Sequence, residues 1–232
     1  YLEVYQMEYI FEGGFEKDKE NNKNYFPIPF NVWEVCEDNI GEIPVHVKVN
    51  GKEFDCVLEP IKNGYYNIPL TDAQAAGLYP KNFYSITFSI NGKDGIDKES
   101  SPYSYDNPIR KIDSMEVLIQ PWDGLCGQSV FAMLAGITIE EAGNIMHCRE
   151  WQANMAKIVS SLDYAGIRHS GKIIYTRGKD IELPKCCIIM EHLGRFSHYL
   201  VGYNGKYYDP NDGVQDKIDK ANIKGYLEII CD

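Results

Sequence analysis

The chain has 232 residues, 44% hydrophobic and 25% charged, enough for a real core in one or two domains and unlike a disordered or fibrous composition. Lys and Arg number 23 against 34 Asp and Glu, a formal net charge of −11. That charge repels phosphate backbones, and with no local basic patch it argues against a nucleic-acid partner. No apolar run approaches the roughly 18 residues needed to cross a bilayer, so no membrane partner is expected. Tyr1-Leu2-Glu3-Val4-Tyr5 has neither the basic start nor the apolar core of a secretory signal. Seven cysteines, an odd count without framework spacing, fit a reducing cytoplasm.

Residues 1–91 read as strands punctuated by turns, with candidates at Tyr5–Glu12, Val32–Glu37, Val45–Val49, Phe54–Leu58, Tyr65–Pro69 and Phe83–Ile90. Val45–Val49 alternates apolar with polar and runs directly into Asn50-Gly51, which tolerates the positive φ of a tight hairpin into Phe54–Leu58. A short helix is predicted at Thr71–Ala76, capped by Thr71 and stopped at Gly77. Glu12 to Lys23, rich in acid and lysine, reads as a solvated loop. Tyr65, Tyr66, Phe83 and Tyr84 read as core. Many short strands at this spacing predict a small β-barrel or sandwich. From residue 92 to 114, Gly, Ser, Pro and Asn break any periodic apolar face, as in an interdomain linker.

Residues 115–232 form the second predicted domain, with helices first and strands after. Cys126, Val130, Met133, Leu134 and Ile137 share one face of a helix. Thr138 with Glu141 makes a capping box for a second helix toward Cys148, and a third runs from about Trp151 to Ala165. Strands follow at Lys172–Thr176, Cys186–Glu191, Ser197–Tyr203, Lys206–Asp209 and Tyr226–Ile230, with Asn204-Gly205 turning one hairpin. The expected fold class is therefore α+β.

Cys126 opens the buried helix, where the macrodipole and orphan N–H groups favour a thiolate. Gln120, six residues earlier, is placed to point its amide back at the same spot. With the Cys126 N–H it would make an oxyanion hole, worth roughly 3–4 kcal/mol per donor removed. His198 sits on one strand and Asp209 ends its hairpin partner, so the carboxylate can accept the imidazole N–H and fix its tautomer. Singly, a Cys at a helix start is usually core, a strand His merely polar, Asp209-Pro210 a turn and Gln120-Pro121 an extended dipeptide. Their joint order favours a nucleophile (Cys126), base (His198), orienter (Asp209) and oxyanion donor (Gln120).

The stretch Gln120-Pro121-Trp122-Asp123-Gly124-Leu125-Cys126-Gly127-Gln128, continuing through Ala132–Gly136 and Glu140-Glu141-Ala142, resembles the papain-clan family of bacteriocin-processing, double-glycine peptidases and their stand-alone bacterial relatives. Leu183-Pro184, Ser197-His198-Tyr199 and Tyr208-Asp209-Pro210 extend the likeness over residues 115–232. It implies a papain-like cysteine peptidase domain with the four roles just named, acting on a peptide or protein substrate. Gln128 departs from the Pro that many relatives carry after Cys-Gly. Ile28–Val32, Val45–Gly51 and Gly64–Leu70 resemble a small β-barrel family of unknown function found beside bacteriocin-protection-type proteins. The expected reaction is hydrolysis of a peptide or amide bond through a thioester, without metal or cofactor. An amine-accepting acyltransferase or deamidase with the same triad, or a non-catalytic binding module, are the alternatives. His147-Cys148 with Cys186-Cys187 as zinc ligands is the weaker reading, because the cysteine pair lies in an apolar strand.

Overall fold

A computed structural model describes residues 7–18, 20–36, 42–90, 100–176, 178–193 and 196–231. The chain divides into two compact units, Tyr1–Lys93 and Asp94–Asp232.

In the first unit the strands are β1 (Glu8–Gly14), β2 (Glu16–Asp18), β3 (Lys23–Pro27), β4 (Pro44–Val49), β5 (Lys52–Val57), β6 (Glu59–Lys62), β7 (Tyr65–Leu70) and β8 (Phe83–Ile90), with α1 (Asp72–Ala75) after β7. They make two antiparallel sheets, ordered β1-β8-β4-β5 and β2-β3-β7-β6. Of the two expected forms, small β-barrel or sandwich, the strands take two four-stranded sheets rather than one barrel sheet. The chain switches from one to the other at Phe15 and again at Leu58, single buried residues that turn corners between strands. Phe11, Phe30 and Phe88 fill the core, with Phe11 edge-on to both and Phe30 stacked on Phe88.

Local chemistry explains the hits and misses. Asn50 and Gly51 adopt φ of 49° and 72° and join β4 to β5 with Val49 opposite Lys52. Thr71 and Gln74 form a capping box for α1. Val32–Glu34 is a 3-10 turn rather than a strand, because the Asn31 side chain accepts the Trp33 N–H and curls the backbone. Glu37, like Tyr5, Gln6 and Lys19, lies outside the described residues. The expected loop from Glu12 to Lys23 instead holds the end of β1, all of β2 and the start of β3. Of the four aromatics expected in the core, Tyr66 is buried, while Tyr65 and Phe83 are exposed on the opposite pleat.

The second unit contains α2 (Cys126–Ala135), α3 (Ile139–Ile145), α4 (Met155–Tyr164), β9 (His169–Tyr175), β10 (Cys186–Leu193), β11 (Phe196–Tyr203), β12 (Lys206–Asp209), β13 (Gly213–Gln215) and β14 (Ile223–Ile229). Its sheet order is β13-β12-β11-β10-β14-β9, every pair antiparallel. Strand makes up 40% and helix 19% of the described residues, which overturns the expectation of an α+β, papain-like domain. Asn154, not a residue near Trp151, starts α4 by accepting the Lys157 N–H, and Trp151 itself has φ 63°. The apolar stretches beyond Gly166 all go into sheet. Residues 92–99 of the expected linker lie outside the described residues. From Ser100 the chain is packed: Ser101 Oγ donates to Tyr164 O, the Ile109 N–H donates to Ala165 O at 2.9 Å, and Ile112 is buried. Among the described residues no helix is long and apolar enough to cross a membrane.

Candidate active site

α2 packs against β11, α3 and α4, and its residues from Gly127 to Ala135 are all buried. Cys126, at its first position, alone keeps partial exposure. Helical geometry leaves the N–H groups of the first turn without intrahelical acceptors, so they gather around this thiol. Gly127 permits the arrangement: a Cβ there would sit 2.5 Å from Ala153 Cβ.

His198 on β11 and Asp209 at the end of β12 share a face of the sheet. The hairpin at Asn204-Gly205 sets this parity, pairing Tyr203 with Lys206 and Val201 with Tyr208. His198 Nε2–H donates to Asp209 Oδ1 at 2.8 Å, and both side chains are nearly fully buried. The imidazole is also hydrogen-bonded to Cys126. Burial works against charge on the ring. The interactions with Asp209 and then Cys126 outweigh it and push the His198 pKa up to about 10. Burial likewise opposes the Asp209 carboxylate. The His198 hydrogen bond and the backbone N–H groups of Asn211 (2.7 Å) and Asp212 overcome it and hold its pKa below the ordinary value. With Asp209 ionised, Nε2 must carry a proton.

Gln120 ties the two halves of the site together. Its N–H donates to Pro210 O at 2.9 Å, its Oε1 accepts the Leu125 N–H at 2.9 Å, and its Nε2 donates to Asn211 Oδ1. The Leu125 contact fixes which end of the amide is oxygen. Nε2 therefore points toward the 209–211 segment, with one hydrogen engaged by Asn211 and a second left to donate. A ring of contacts runs from Cys126 through His198, Asp209, Asn211 and Gln120 back to Leu125.

Three neighbours escaped the sequence reading. Glu191 on β10 pairs directly with His198 and is buried. Burial raises its pKa, and the imidazolium charge pulls the other way. Asn211 closes the ring through a side chain that no motif marks. Trp151 is 63% exposed and lies against the turn before Cys126: its N–H donates to Gly124 O at 2.8 Å, and a Cβ on Gly124 (φ 92°) would come within 2.6 Å of its indole. Cross-strand register places Glu191, the turn after β12 places Asn211 and a positive-φ backbone places Trp151, and no local motif marks any of the three.

Gln128 is fully buried, and its Nε2 donates to Arg149 O at 2.9 Å and toward Cys148 Sγ at 3.4 Å. It moors the 148–151 loop to α2. Cys148 is buried, Cys187 packs with Ile189, Leu200 and Ile223, and Cys186 is hydrogen-bonded to Cys231. Among the described residues no three His, Cys, Asp or Glu side chains gather to hold a metal ion.

A domain of unknown function, DUF1905, matches residues 11–78, inside the first unit. The match does not reach the second unit, where the candidate site lies. No curated protein matches the chain.

Proposed function

We propose that the second unit is a cysteine-nucleophile hydrolase that cleaves a peptide or other amide bond through a thioester on Cys126. The observation carrying this reading is the hydrogen-bonded line from Asp209 through His198 to the partly exposed sulfur at the start of α2. An imidazole that keeps its proton across neutral pH stabilises negative charge on the thiol it touches, and a thiolate is the nucleophilic form. The reading does not depend on a papain-type fold, because the same three roles recur on unrelated scaffolds.

In this scheme the thiolate attacks the carbonyl carbon, and the resulting oxyanion takes hydrogen bonds from the Cys126 N–H and the second Nε2 hydrogen of Gln120. The C–N bond breaks as His198 gives its proton to the departing amine. The neutral imidazole then takes a proton from water, which attacks the thioester and releases the acid. Asp209 keeps the ring oriented throughout. Each step uses side chains of the chain itself.

The test is a peptidyl acyloxymethyl ketone panel read by mass spectrometry. The hydrolase reading expects a covalent adduct on Cys126 that disappears in His198→Ala. Adducts distributed over the other cysteines would contradict it. Adding a primary amine to turnover assays separates hydrolysis from acyl transfer: free acid as the main product supports water as acceptor, and amide product supports the transferase.

A further inference from the structure

The nucleophile turn carries an aromatic and acidic wall that neither the fold nor the proposed chemistry explains. Trp151 is 63% exposed and Trp122 58% exposed, although an exposed indole gains little by burial and costs solubility. Trp151 also holds φ 63°, a left-handed conformation that a bulky residue rarely adopts and that Asn or Gly would take more readily. Strained conformations retained beside a reactive centre commonly belong to ligand clamps. The wall is fastened to the turn at three points. Trp151 N–H bonds Gly124 O, its indole lies on Gly124 two residues before Cys126, and Trp122 Nε1 donates to Glu150 Oε1 at 3.2 Å.

Its charge selects the guest. Glu150 and Asp123 are exposed on the same two segments, and Glu150 keeps lone pairs beyond the one given to Trp122. Asp212, exposed just past the Asp209 carboxylate, adds a further negative charge. Arg149 is the nearby cation, and it lines a depression with Asn144, His147 and Gln152. Indole faces beside carboxylates attract a cationic side chain, and a guanidinium does so best, stacking flat while it donates to the acid.

We infer that this wall is a binding subsite for a basic residue, arginine above all, flanking the amide that Cys126 attacks. The inference rests on Cys126 as nucleophile and adds the substrate class. Three acyloxymethyl ketones identical except for Arg, Leu or Glu beside the reactive carbonyl test it on the full chain, through second-order inactivation rates with the adduct mapped to Cys126. The Arg probe should react about tenfold faster than the Glu probe. Glu150→Gln and Trp151→Asn should each cut that Arg-to-Glu ratio several-fold. Reading the ratio cancels any general loss of reactivity, and Asn suits the backbone at 151. Preference for Leu would assign the wall to apolar guests and overturn the inference, as would equal rates or a ratio that both variants leave intact. If instead no probe marks Cys126 and iodoacetamide alkylates it no faster than Cys56, the nucleophile itself is wrong and the subsite falls with it.

Discussion

Replacing Asp209 by Asn probes the electrostatics of the site most sharply. The shape is conserved, and the Asn oxygen can still accept from His198 Nε2, so what disappears is the carboxylate charge. A hydrogen bond to a charged group contributes about 1.5–3 kcal/mol, against about 1 for a neutral one. The loss is therefore about 0.5–2 kcal/mol, and at 1.36 kcal/mol per pH unit it lowers the His198 pKa by about 0.4–1.5 pH units. The ring, near 10 in the wild type, should titrate at about 9. Stability follows from the same pair. The raised His198 pKa stabilises the fold fully below its ordinary 6.5, and that contribution is lost as pH climbs through about 10. The lowered Asp209 pKa stabilises above its ordinary 3.8 and is lost as pH falls through the folded value. Urea denaturation of wild type and Asp209→Asn should thus differ most between pH 3.8 and 6.5 and converge toward pH 10. NMR of labelled histidine reads the ring directly. A difference in stability that is flat with pH, or a His198 titration identical in both proteins, would refute this reasoning.

Other perturbations separate the remaining parts. Cys126→Ala removes an interaction that raises the His198 pKa, so the same NMR titration should find that pKa lowered. Gln120→Ala breaks the contacts to Leu125 and Asn211 and should cost about 1–3 kcal/mol in denaturation, two neutral hydrogen bonds' worth. Gln120→Glu keeps the acceptor for Leu125 but not the donor, so it should retain more stability while still slowing acylation. Glu191→Gln removes a carboxylate whose pKa burial raises, a group that favours folding less as pH rises through its folded value. Relative to wild type, this variant should gain stability between pH 4.5 and neutrality, measured by urea midpoints; a constant offset would show that Glu191 does not titrate with folding. Gly127→Ala would place a methyl 2.5 Å from Ala153 Cβ and should destabilise by about 1–3 kcal/mol, read from the thermal midpoint.

Local signals in the sequence were strong where one short-range rule decides the backbone. Asn50-Gly51 and Asn204-Gly205 turn their hairpins, and the second of these returns Asp209 to the face of His198 because strand parity leaves no other choice. Thr71 and Thr138 start their helices through capping boxes. Reading failed where tertiary pairing overrides composition. β2 is charged throughout, yet it pairs with β3, and β3 with β7, so Glu16 to Asp18 become sheet. Motif likeness around Cys126 and His198 also led to a papain-type expectation, although motifs constrain a few side chains and not the balance of helix and sheet. Glu191 and Asn211 were invisible for a related reason. One faces His198 only through the register of β10 with β11, and the other only through the turn after β12.

The central claim is that His198 keeps Cys126 reactive as a thiolate, and alkylation measures it most directly. Iodoacetamide is applied near pH 6 to the full chain and each cysteine is followed by peptide mass spectrometry. Cys56, also partly exposed, is the internal reference, since burial and then Asp55 push its thiol up to about 11. The account predicts that Cys126 is labelled at least tenfold faster than Cys56 and that His198→Ala abolishes the advantage. Equal labelling of the two thiols, or an advantage that survives in His198→Ala, would contradict it.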